Sequence, residues 1–157
     1  MGIRLAVLMI VAAAPAAVAF SPVLASAAPG SITPFAQQEL TVSELTSFTS
    51  PSGNIGCYID VDSVRCDIAE RDWAPPPKPA SCPDVTGFGQ GITLSAGRAA
   101  TFVCAGDTAL GAGDPLAYGN TITAGSIECT SLPSGIQCWD FVHGGEFTIA
   151  REAYEIA

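Results

Sequence analysis

"GCYIDVDSVRC" occupies Gly56 to Cys66, and seventy-two residues later the chain writes a similar phrase, "ECTSLPSGIQC", from Glu128 to Cys138. Each holds two cysteines with eight residues between them, an isoleucine two before the first cysteine and a branched aliphatic two before the second. Read as a β-hairpin with Cys57 opposite Cys66, the first phrase pairs Ile55 with Ile68 and Ile59 with Val64. All six residues then share one face, because side chains alternate along a strand. The other face receives Gly56 with Asp67, Tyr58 with Arg65 and Asp60 with Ser63, so one register separates apolar from polar. The second phrase, with Cys129 opposite Cys138, turns through Leu132-Pro133-Ser134-Gly135, where proline second and glycine fourth suit a type I turn. Its sorting is less clean, since Ile127 faces Asp140 and Ser131 faces Ile136. Directly opposed residues lie close enough for a disulfide.

Two more cysteines, Cys82 and Cys104, bring the total to six, all in the portion expected to be exported. Three disulfides are the natural outcome in an oxidising compartment: Cys57 with Cys66, Cys129 with Cys138, and the remaining two with each other. Zinc needs close-set ligand pairs and usually histidines, whereas here the tightest spacing is Cys-x8-Cys and His143 is the single histidine. No metal and no cofactor is implied.

The start of the chain gives the compartment. "MGIRLAVLMIVAAAPAAVAFSPVLASAAPG" carries one positive charge, Arg4, then an apolar stretch from Leu5 to about Val18, then an Ala-x-Ala site at Ala25 to Ala27. That is the pattern of a secretory signal peptide over residues 1–27. Pro15, Ser21 and Pro22 interrupt the stretch before it reaches the ~20 apolar residues of a membrane span. With no cysteine before Cys57, no lipid-anchor acceptor lies near the cleavage site, and the mature chain is expected to be secreted without a membrane anchor. Cleavage leaves 130 residues, enough for one domain. It also leaves five basic against fifteen acidic side chains, a formal charge of −10. Such a surface repels phosphate backbones and anionic headgroups, which argues against nucleic-acid and membrane-surface binding.

Residues 28–46 are polar and patternless and read as a flexible lead-in, although "TVSELTSF" can supply an edge strand. The remainder, 47–157, reads as the disulfide-stapled domain. "SPSGN" at Ser50 to Asn54 is a turn by composition. After the first hairpin, Pro75 to Pro77 exclude helix and sheet interior and favour a rigid extended strap ending at Cys82. Trp73 reads as a plug beneath it. "FGQGITLSAGRAATFVCAGD" reads as strand, Gly97 turn and strand. Further short strands are possible around Leu116–Tyr118 and Asn120–Thr123. No stretch has helical periodicity. The expected fold is mainly β, a small antiparallel sandwich or open barrel of hairpins.

Candidates for chemistry are few. His143 sits in "DFVHGGEF" with Asp140 and Glu146 three residues away on either side, the materials of a general acid/base site. No nucleophile motif accompanies them, there being no Gly-x-Ser-x-Gly, and every cysteine is assigned to a disulfide. A turn histidine on the surface is the plainer expectation. "DVDS" at Asp60 to Ser63 opens like a calcium loop but lacks the later glycine and glutamate. "GFGQG" from Gly87 to Gly91 lacks the helix of a phosphate site and reads as a loop.

"FTSPSGNIGCYI", "VRCDIAERDWAPPPKPASC", "FVCAGDTAL", "LAYG" and "FTIAREAY" resemble, in that order, a family of small exported actinobacterial proteins classed only as a domain of unknown function. The likeness runs from Phe48 to Tyr154. Near His143 the fit is looser, with Gly144-Gly145-Glu146-Phe147 where relatives carry a Gly-His-Gly-Phe step. The resemblance implies secretion and a shared fold, and no activity. Two function classes follow from the sequence: a non-enzymatic module binding an extracellular protein or glycan of the cell envelope, an inhibitor-like module included, and a small hydrolase or lyase using His143 with Asp140 or Glu146. The compact, acidic, disulfide-dense composition favours the first.

Overall fold

The computed structural model describes Gly2 and residues 37–157, so the expected signal peptide, but for Gly2, and the first part of the lead-in lie outside the described residues. The first phrase forms β3 (Ile55–Asp60) and β4 (Ser63–Ile68), paired in the register read from the sequence, with Cys57 opposite Cys66, Ile59 opposite Val64 and Ile55 opposite Ile68. The second forms β9 (Ile127–Leu132) and β10 (Gly135–Asp140), with Cys129 opposite Cys138. Both hairpins carry their own disulfide, each with Cα atoms 4.1 Å apart, and Cys82 pairs with Cys104.

Each hairpin is the middle of a six-stranded sheet. The first sheet runs β6 (Thr101–Ala105), β5 (Gly87–Ser95), β4, β3, β2 (Thr46–Thr49), β7 (Asp114–Pro115). The second runs β12 (Tyr154–Ile156), β11 (Glu146–Ala150), β10, β9, β8 (Thr121–Ala124), β1 (Glu39–Val42). The two orders correspond element for element. In each half of the chain five consecutive strands form an antiparallel meander, and one further strand precedes it. That preceding strand joins the other half's sheet: β1 lies parallel to β8, and β7 lies parallel to β2. The phrase is written twice because the architecture is.

The sheets face each other as a sandwich around one core, in which Cys57, Cys66, Ile59 and Ile92 meet Ile122, Cys129, Cys138, Phe147 and Ile149. Both cystines point into it. Trp73 packs against the core at the side where β6 and β12 form the sheet edges, its ring 4.7 Å from Tyr154 and 6.1 Å from Phe102. Its indole N–H donates to Ala150 O at 2.8 Å. The plug expected beneath the proline strap thus closes the gap between the two sheets.

Three expectations need correction. The lead-in is ordered from Gln37, because Gln38 N donates to Asn120 Oδ1 and Gln38 O accepts from Thr121 N, which guides β1 onto β8. The "GFGQG" loop is instead the first half of β5, with a register shift between Phe88 and Ile92. There Gly91 lies so close to Cys66 O that a Cβ would strike it, so small residues are needed for β4 to approach. Leu116–Tyr118 is not a strand; β7 ends at Pro115 and β8 begins at Thr121.

The outer, polar face of the first hairpin is covered. Asp67 is fully buried and accepts from Arg65 Nε and Nη2 at 2.9 and 2.7 Å and from Ala109 N at 2.9 Å. Arg65 reaches on to Asp107 Oδ1 at 2.7 Å. These hydrogen bonds, first that to Asp67, hold the guanidinium in its charged form even more firmly than usual, and Arg65 keeps the Asp107 carboxyl below its ordinary range. They pin the 107–110 segment onto β3 and β4, where Gly56 leaves room for Ala109 O.

Candidate functional sites at the two ends

At one end of the sandwich the β3–β4, β5–β6, β8–β9 and β10–β11 turns come together through backbone bonds, Ala96 N to Asp62 O and Phe141 N to Ser126 O among them. Asp140 is the knot. It closes β10 at the position where the first hairpin carries Ile68, seventy-two residues earlier, and like that isoleucine it points inward. Its side chain is fully buried. The carboxylate accepts from Gly97 N at 2.8 Å, from Val142 N and His143 N at 3.1 Å each, and from His143 Nδ1 at 2.9 Å. Burial alone would push this carboxyl up. The donors from Gly97, His143 and Val142, joined by the imidazole, outweigh it and hold the group well below the usual carboxylate range.

Facing an ionised carboxylate, Nδ1 is the donor, and in the neutral ring Nε2 is left as the acceptor. His143 itself is half exposed, in the turn where the sequence placed it. Glu146 does not join the pair: it is exposed at the start of β11, opposite Trp139, and no hydrogen bond links it to His143. Among the described residues the imidazole bonds only to Asp140, so no serine, threonine or lysine is poised against it. All six cysteines are in disulfides. Among the described residues no group of three or more His, Cys, Asp or Glu side chains is placed to hold a metal ion.

The opposite end carries what sequence reasoning missed. The β2–β3 turn (50–54), the start of the strap at Ala69 and Glu70, Tyr118 ahead of β8, the β9–β10 turn (132–135) and the β11–β12 turn at Arg151 and Glu152 enclose an open groove of about 480 Å³. Its walls are tied together. Asn54 Nδ2 donates to Glu70 O at 2.9 Å while Asn54 Oδ1 accepts from Glu70 N at 2.8 Å. Ser50 Oγ accepts from Ile55 N at 3.1 Å, and Arg151 Nη1 bonds Glu70 Oε2 at 3.1 Å. No family model matches the chain, and no curated protein or solved structure matches it. What the protein does is therefore read from its two ends: a buried carboxylate that fastens turns, and a polar groove with pre-set walls. "SPSGN" and "LPSG" were legible as turns, but nothing in either says that they face each other.

Proposed function

We propose that the protein is an exported, non-enzymatic module that binds an extracellular protein or glycan of the cell envelope. The groove carries this reading. Its walls are fixed by hydrogen bonds before any ligand arrives, so little ordering cost attends binding, and its size lies within the ~300–1,000 Å³ usual for ligand clefts. Export is supported by the signal pattern of residues 1–27 and by three disulfides, which suit an oxidising compartment. Likeness to the exported actinobacterial family supports the same placement. Protein recovered from culture fluid should begin at or near Ala28; intact Met1 on most of it would refute the export reading.

A second reading, a small secreted hydrolase or lyase, draws on one observation: a buried carboxylate orienting a half-exposed imidazole is half of a general-base arrangement. Against it, neither residue lines the groove, and the hydrogen bonds of Asp140 are accounted for by fastening the Gly97 and Phe141–Gly145 turns. The experiment is retention of the mature, oxidised protein on washed cell-envelope material. The binding reading expects saturable retention, no soluble fragments released, and equal retention by His143→Ala. Absence of retention, or fragment release that His143→Ala abolishes, would overturn it.

A further inference from the structure

We infer that the groove is a saccharide site, taking a short neutral oligosaccharide with Tyr118 as the platform for one sugar ring; this rests on the binding reading and names its ligand class. Tyr118 is 48% exposed and lines the groove, and among the described residues its phenol makes no hydrogen bond. A large half-exposed ring at the wall of a polar cleft offers an apolar face beside a polar rim, which suits the C–H face and hydroxyl edge of a pyranose. Around it stand the groups that sugar hydroxyls need. Arg151 is held through Nη1 and lies near Asp72 through Nε, which leaves Nη2 as a donor. Glu152 and Ser134 line the same space with no side-chain hydrogen bonds among the described residues, a carboxylate acceptor and a hydroxyl that does both. Asn54 is fixed by its paired bonds to Glu70.

Charge and shape choose among ligands. Glu70 and Glu152 outnumber Arg151 in the lining, and the mature chain is strongly acidic, so phosphorylated, sulfated or uronic-acid chains are repelled. A peptide that binds by strand addition needs an exposed strand edge, but turns form most of this rim. A neutral polyhydroxyl chain needs neither an edge nor a counter-charge.

The test uses the isotope-labelled mature protein with its disulfides intact, titrated by NMR at millimolar concentrations. The neutral probes are maltotetraose, cellotetraose and tetra-N-acetylchitotetraose; tetragalacturonate and a neutral tetrapeptide are the contrasts. At least one neutral tetrasaccharide should shift the amides of Gly53, Asn54, Ser134 and Gly135, and Tyr118→Ala should weaken it tenfold or more while unfolding as the native protein does. Arg151→Gln should weaken it as well. The inference is overturned if no neutral probe binds, if only the anionic chain or the peptide does, if the shifts fall outside the groove, or if Tyr118→Ala binds equally. Failure here with envelope retention intact would leave the binding reading with a different occupant, a protein or an anionic glycan according to which contrast binds; loss of retention as well would remove the binding reading itself.

Discussion

Replacing the first cystine should cost about 4 kcal/mol, and the cost should divide into two separable parts. Cys57 and Cys66 close a loop with a sequence separation of 9, for which the loop-closure relation gives about 2.6 kcal/mol. Both residues are fully buried in the core. Truncation of both to alanine deletes two core sulfurs, each about the size of a methylene worth ~0.8 kcal/mol, which adds roughly 1.6 kcal/mol. Set against a typical net stability of about 5–15 kcal/mol, the sum is a large fraction. The control is Cys57→Val with Cys66→Val, a cross-strand pair of β-branched residues that refills the space and leaves only the closure part, about 2.6 kcal/mol. Guanidinium unfolding of the three oxidised proteins, followed by far-UV circular dichroism, reads all of this. An alanine pair within 1 kcal/mol of the native protein would refute the reasoning, as would a valine pair as costly as the alanine pair.

Gly56→Ala should destabilise by about 1–3 kcal/mol, because its Cβ would meet the backbone of Ala109 and lift the segment that Asp67 holds; chemical unfolding measures it, and a neutral result would remove the close approach. Ser131→Ala should be neutral or stabilising by about 1 kcal/mol, since the Ser131 hydroxyl is buried without a partner among the described residues; a loss of stability in the same melts would reveal a bond not accounted for. Because the Asp140 carboxyl is held below its unfolded value, its contribution is present above the unfolded carboxylate range and is lost as pH falls below about 4. Asp140→Asn should therefore flatten the acid limb of a stability–pH profile between pH 2 and 5, and a limb as steep as the native one would sink that assignment.

The hairpins were legible because their apolar residues recur with a period of two around a fixed cysteine spacing, a local pattern that one register satisfies. Asp140 was legible as an anomaly, a carboxylate opposite Ile127, but its burial was not, because the donor that makes burial tolerable, Gly97, lies 43 residues away. The register puts Asp67 and Gly56 together on the polar face, but their burial there was illegible for a related reason. What covers them is the 107–110 segment, which has no periodicity to announce where it lies. The groove was illegible altogether, since its five walls, most of them turns, are brought together only by the pairing of strands between and across the two sheets. In "GFGQG" composition and context pull apart: glycines that usually mark a loop here let two backbones approach.

Exchange of the first strands has a consequence for how the chain matures as it emerges, N-terminus first. The hairpin cystines span a sequence separation of 9 and the third spans 22, so each lies wholly within one half and can be oxidised as that half appears. The parallel pairings are another matter. Gln38 meets Asn120 across 82 residues, and β2 waits for β7 until the second half arrives. Oxidation is thus local and can run ahead, while completion of either sheet requires both halves at once. Either half expressed alone is expected to hold its cystines yet leave the rim of its sheet open, and two separately expressed halves should complete each other when mixed.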